Sequence, residues 1–222
     1  MRTLYHFPLS AGSRMARLAL SEKRLEFDLV MERIWERRTD FLALNPSGDV
    51  PVLVDEDKTT VMGGTVVLEY IDEVYPDPPM LGTDAVQRAE TRRLFQWFER
   101  KFEDEVTRHL VGEKVIKRFL NQGHPESQAI RAGKQNIRYH LDYIAWLAER
   151  RNWLAGDDFS YADIAAGAQL SCVDFLGDVP WEEYPDAKEW YARIKSRPSF
   201  RSLLADQLLG VRPPANYADL DF

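Results

Sequence analysis

The rhythm of apolar positions changes once along this 222-residue chain, near residue 75. Before that point short β-rich runs alternate with helical ones. Thr3 to Phe7 reads as a strand and Pro8 to Ser13 as a polar loop. The helix RMARLALSEK follows, with Met15 and Leu18 at helical spacing and Ser13 as its N-cap. Leu25 to Val30 reads as a second strand, parallel to the first if the helix crosses over between them. The charged stretch ERIWERRTDFLALNPSGD is expected to be a loop with a short helix. It halts at Asn45-Pro46, because a residue before proline is driven out of the α region. Val50 to Val54 and Lys58 to Met62 pair as a hairpin around the turn Asp55-Glu56-Asp57. Thr65 to Val74 then carries Val66, Val67, Tyr70, Ile71 and Val74 at helical spacing, so the order is β-α-β-α-β-β-α.

Tyr75 to Gly82 holds three prolines and a glycine, which cannot continue a helix and suit a linker. Beyond it the helical period takes over, through roughly Asp84 to Val111, Glu126 to Arg150, Tyr161 to Leu176 and Tyr184 to Lys195, with Pro198 opening a shorter helix. The expected division is a domain over 1–76, a linker over 77–86, a helical domain over 87–210 and a tail over 211–222. Phe159-Ser160-Tyr161-Ala162-Asp163-Ile164 predicts a capping box between Ser160 and Asp163, with Phe159 stapling onto Ile164 or a neighbour.

Composition narrows the function classes. With 45% hydrophobic residues the chain can bury a core, and a net charge of -7 without a basic block speaks against nucleic acid. The single cysteine, Cys172, excludes an internal disulfide and sits in an apolar run that predicts burial. His6, His109, His124 and His140 lack the short spacings of a metal site, so no metal is expected. No stretch has the length of a signal h-region or a membrane span, and a cytoplasmic protein is the expectation. No Walker, Rossmann or nucleophile-elbow pattern appears.

Four separated pieces resemble the cytosolic glutathione transferase superfamily in the correct order. They are RTLYHFPLSAGSRMARLAL, the run from Asn45 to Pro51, the Glu69-Tyr70-Ile71 helix, and the Ser160 to Asp163 box. The resemblance implies α/β plus all-α architecture, a thioredoxin-like N-terminal domain followed by a helical C-terminal one, in a two-fold homodimer. It implies that Val50-Pro51 is a cis dipeptide whose valine backbone pairs with the cysteinyl part of glutathione. It places Ser10 where such enzymes keep a hydroxyl or thiol beside the glutathione sulfur, which favours the thiolate. A loop or capping role for Ser10 stands beside that reading, and Tyr5 is a further candidate whose strand position suggests packing.

The family's Glu or Gln and Ser that hold the γ-glutamyl end fall on Gly63 and Gly64. Losing one charge-assisted and one neutral hydrogen bond costs about 2 to 4 kcal/mol, a factor of roughly 30 to 1000 in affinity. Tight glutathione binding is therefore not expected. The reading in which the glycines merely lead into a helix capped by Thr65 keeps open, as the alternative, a glutathione transferase that conjugates glutathione to small electrophiles.

Two features exceed what a small-molecule transferase requires. Arg33, Trp35 and Arg37 crowd interface-forming residue types into one loop. The end of the chain, with Tyr217, Asp219, Leu220, Asp221 and Phe222, alternates acidic and large apolar residues, and either docks on its own fold or serves as a motif for a partner. With the glycine pair, these features resemble a non-enzymatic branch of the superfamily, the bacterial division proteins of the FzlA type. That resemblance implies filament contact with FtsZ through Arg33, Trp35 and Arg37, and a second partner in cell-wall synthesis or division met by Asp219 to Phe222.

Overall fold

The structure, a computed structural model, describes residues 1–220, and Asp221 and Phe222 lie outside the described residues. The chain divides into two compact units, Met1–Met80 and Leu81–Phe222.

In the first unit β1 (Arg2–His6), α1 (Ala11–Glu22), β2 (Phe27–Met31), α2 (Thr39–Leu44), β3 (Val52–Val54), β4 (Thr60–Met62) and α3 (Gly64–Val74) follow in order. The sheet runs β2-β1-β3-β4. β1 pairs parallel to β2, with Leu4 opposite Leu29, and antiparallel to β3, with Leu4 opposite Leu53. Leu4 and Leu53 are fully buried, as are Ala16, Ala19, Val67 and Ile71 on α1 and α3. Apolar stripes of two helices thus close over a mixed sheet, the expected thioredoxin-like arrangement.

The start of α1 differs from expectation. Ser10, not Ser13, is the N-cap, and its hydroxyl accepts from the Ser13 amide at 3.2 Å. Ser13 is fully buried, and its own hydroxyl accepts from the Phe7 amide at 3.2 Å, so it fastens the end of β1 to the helix. Ser13 therefore lies one turn inside α1, because its hydroxyl satisfies a strand-end donor rather than a helix-end one. α3 likewise begins at Gly64 with Gly63 in the cap position, and Thr65 is inside the helix.

Behind the hairpin, Arg2 Nε lies 2.8 Å from the Asp55 carboxylate, and the Tyr70 and Tyr75 hydroxyls each donate to that carboxylate at 2.8 Å. Burial pushes Asp55 up, but the Glu56 amide, both hydroxyls and Arg2 hold it below the ordinary carboxylate value.

The second unit is helical. α4 (Ala85–Gln96) continues without a break through Trp97–Ile116, where the hydrogen bonding widens to the π pattern, into α5 (Lys117–Phe119). Phe98, Phe102, Val106, Leu110, Val111 and Val115 are the buried apolar positions of the wide segment. Four of the five steps between them are of four residues, which keeps one face inward. The rod runs on past Val111, the expected end of this helix.

α6 (Ser127–Ala148), α7 (Tyr161–Asp174), α8 (Pro185–Lys195) and α9 (Arg201–Leu204) complete the unit. Every residue of α7 is buried, which makes it the central helix. His140 on α6 is wholly buried, accepts the Trp97 indole N–H at Nδ1 (3.1 Å) and lies 3.1 Å from Glu105 through Nε2. Burial pushes His140 down to about 4 even though Glu105 opposes the shift.

The capping box at α7 is present as expected. Asp163 Oδ2 accepts from the Ser160 amide at 3.1 Å, and Oδ1 accepts from the Leu154 amide at 2.9 Å and the Trp190 indole at 3.1 Å. Complete burial pushes Asp163 up to about 6, against these hydrogen bonds. The Phe159 ring lies edge-on to Trp153 at 4.9 Å, under the Arg197 guanidinium at 3.8 Å.

Candidate functional site

The residues assigned to a glutathione site converge at the starts of α1 and α3. Val50-Pro51 is cis, and the Gly63 amide donates to the Pro51 carbonyl at 3.0 Å, which ties the entry of α3 to the foot of β3. Gly63 sits at φ +86 with open space around its missing side chain. Gly64 is different. A Cβ there would lie 3.2 Å from Gly12 Cα, and a Cβ on Gly12 would lie 3.2 Å from Pro51 Cδ and 3.9 Å from Ser10 Oγ. The two glycines thus have separate causes: Gly63 adopts a backbone favoured by glycine, and Gly64 lets α3 touch α1 at Gly12.

The chemistry of this corner follows. Two helix N-termini carry positive partial charge toward Ser10, Pro51 and Gly64, which suits a carboxylate. Ser10 already accepts a hydrogen bond as N-cap, so its O–H remains the part able to donate to a sulfur. What is missing is a side-chain carboxylate for an ammonium and a side-chain donor at 63 or 64, so the donor set does not fit the γ-glutamyl group.

The second assigned set forms a compact knuckle after β2. Ile34–Glu36 makes a single 3-10 turn, and Arg37 follows it in the left-handed region. Trp35 is half-buried, its ring edge-on to the buried Phe7 at 5.5 Å. Arg38 reaches Glu32 through Nε (3.3 Å) and Nη2 (2.7 Å), and the Glu32 side chain is buried. The Glu32 amide in turn donates to the His6 carbonyl at 2.8 Å, which anchors the knuckle to the end of β1. Arg33 and Arg37 are both exposed, and Arg33 pairs with Glu36 at 3.0 Å.

The third set belongs to the helical unit. Tyr217, on the 3-10 turn Ala215–Ala218, is buried: its ring meets Phe175 edge-on at 5.1 Å and its hydroxyl donates to the Leu203 carbonyl at 3.3 Å. It is an anchor of the tail on its own fold, while Asp219 and Leu220 beyond it are exposed. Asp221 and Phe222 were assigned to a partner and lie outside the described residues. Sequence reasoning missed the Gly12–Gly64 contact and the Glu32–Arg38 clasp. A signal existed for the clasp, opposite charges flanking a tryptophan, but nothing in the spacing distinguished it from solvated residues.

Residues 9–74 match the glutathione S-transferase N-terminal domain, and residues 119–198 match the glutathione S-transferase C-terminal domain. FtsZ-localized protein A of Caulobacter vibrioides is 50% identical over 100% of this chain and 98% of its own length. The chain belongs to the glutathione S-transferase family.

Within the family, the crystal structure of a glutathione S-transferase from Rhodospirillum rubrum F11 superposes with a TM-score of 0.98 at 55% identity, covering all of both chains. The structure of FzlA from C. crescentus gives a TM-score of 0.96 at 50% identity, covering 100% of this chain and 99% of that one. Among the described residues no helix is long and apolar enough to cross a membrane, and no group of acidic, histidine or cysteine side chains is placed to hold a metal.

Proposed function

We propose that this glutathione-transferase-family protein is a division-site protein that binds FtsZ filaments. The observation that carries the reading is its 50% identity, along the whole chain, to FtsZ-localized protein A. The donor set at Gly63 and Gly64 supports it, because a corner without γ-glutamyl side chains is poorly suited to hold glutathione. Contact with FtsZ runs through the Trp35 knuckle. A two-fold homodimer carries one such knuckle per subunit and bridges or curves filaments, since the second contact is made at high effective concentration. The exposed end beyond Tyr217 meets a second partner in division or cell-wall synthesis, and the protein resides in the cytoplasm at the division site.

A second reading is glutathione transfer to small electrophiles. Ser10, with a donor proton beside two helix N-termini and the Val50-Pro51 cis pair, favours it. The two readings separate in co-sedimentation of the purified full chain with FtsZ assembled by GTP. The first predicts pelleting that depends on polymer and is unchanged by Ser10→Ala. Failure to pellet, joined to turnover of a standard electrophile that Ser10→Ala abolishes, contradicts it.

A further inference from the structure

Three arginines flank Trp35, and the structure gives them three different situations. Arg33 is neutralised by Glu36 at 3.0 Å in an exposed i,i+3 pair. Arg38 is committed to the buried Glu32 through two nitrogens. Arg37 is exposed and has no ion-pair partner among the described residues.

The backbone reinforces the distinction. Arg37 stands at φ 45, a conformation that costs a non-glycine residue roughly 1 kcal/mol. Two fixed points hold it there. The Glu32–Arg38 clasp closes the loop from both sides, and the Trp35 ring rests on Phe7. The knuckle is therefore preorganised, so little conformational entropy is left to lose on association. It offers one uncommitted guanidinium beside one half-buried indole.

Charge selects the kind of partner. Asp28, Asp40 and Asp49 are exposed in the same unit, and the whole chain carries a net charge of -7. A polyanion meets repulsion from such a surface, whereas one available guanidinium matches one carboxylate in forked geometry. We propose that Arg37 is the recognition cation of the knuckle: it pairs with one carboxylate of the FtsZ filament while Trp35 packs beside it. Glu32 and Arg38 act as positioning residues, and Arg33 takes no direct part. This rests on the FtsZ reading and divides the labour within it.

The test is co-sedimentation with GTP-assembled FtsZ, using full-length variants whose far-UV circular dichroism and Tm match the parent. Arg37→Ala weakens binding about tenfold and flattens its salt dependence, Arg37→Glu weakens it further, and Arg33→Ala stays within about twofold. Glu32→Gln releases the clasp and weakens binding about fivefold, an effect that added Arg37→Ala does not multiply in full, because both act on one contact. Equal loss from Arg33→Ala and Arg37→Ala overturns the proposal, and so does a neutral Arg37→Ala. If Arg37→Glu instead abolishes heat on titration with reduced glutathione and leaves pelleting intact, Arg37 serves a small-molecule carboxylate and the proposal fails while the FtsZ reading stands. If the parent protein does not pellet with FtsZ, the FtsZ reading falls and this inference falls with it.

Discussion

Two helices of this molecule begin in opposite ways. α7 starts at Ser160 with a full capping box, and the Asp163 carboxylate also gathers the Leu154 amide and the Trp190 indole. α3 starts at Gly63 with no side-chain cap, and its first residue is pressed against Gly12. The first end is wholly buried and its polar groups are bonded within the fold, which leaves it nothing to offer a ligand. The second is bare, yet its bareness is partly structural, since Gly64 is required for the approach of α1. A helix N-terminus without side chains is therefore not by itself a ligand site, nor is it simply a lost one.

The contrast breaks most visibly at Asp163. Asp163→Ala leaves the Leu154 amide and the Trp190 indole without their acceptor, and is expected to cost about 3 to 5 kcal/mol. Thermal unfolding should show Tm lower by roughly 6 to 20 °C. No substitution at Gly63 should approach this.

The helical unit holds two buried groups that titrate between pH 4 and 7. His140 is held at about 4 in the fold, against the 6.5 of an ordinary histidine. Its folded pKa is depressed, so the stabilisation is present above 6.5 and is lost as pH falls from 6.5 toward 4. The loss from His140 alone amounts to about 3 kcal/mol. Asp163, raised to about 6, gains stability as pH falls through nearly the same range, so the two oppose each other in the parent. Denaturant midpoints of His140→Gln should therefore rise relative to the parent as pH falls from 7 to 4. An unchanged profile would show that His140 carries none of this dependence.

At the bare end the expected effects are smaller and unequal. Gly64→Val drives a branched side chain toward the Gly12 backbone and should cost about 1 to 3 kcal/mol in urea unfolding. Gly63→Ala meets open space and pays only for its positive φ, about 1 kcal/mol, and Gly63→Asn less, because asparagine tolerates the left-handed region. If Gly63→Ala proved the more damaging, the Gly12 contact would not be what selects glycine at 64.

Much of the fold was legible because its signals are local. The strand-loop-helix start, the hairpin around Asp55 to Asp57 and the Ser160 to Asp163 box each rest on residues a few positions apart. Ser13 misled because capping is decided by where the hydroxyl finds a donor, and its donor is the Phe7 amide at the end of a strand. The rod runs past Val111 to Phe119, and Val115 continues the four-residue step of its buried positions. The candidate site was legible in its residue types and not in their commitments. Nothing in the sequence told Arg33, Arg37 and Arg38 apart, since their partners Glu36 and Glu32 are set by a 3-10 turn and a left-handed residue. For Tyr217 the sequence allowed docking on its own fold or a motif for a partner, and its ring rests against Phe175.

The account turns on whether the bare end of α3 still holds the ligand of its family. Calorimetric titration of the full-length protein with reduced glutathione, carried to millimolar concentration, tests this most directly. The account predicts no saturable heat, because neither Gly63 nor Gly64 supplies a side-chain partner for the γ-glutamyl end. Saturation below about 1 mM, worth roughly 4 kcal/mol or more of binding free energy, would contradict it and would mean that the backbone amides of two converging helices suffice.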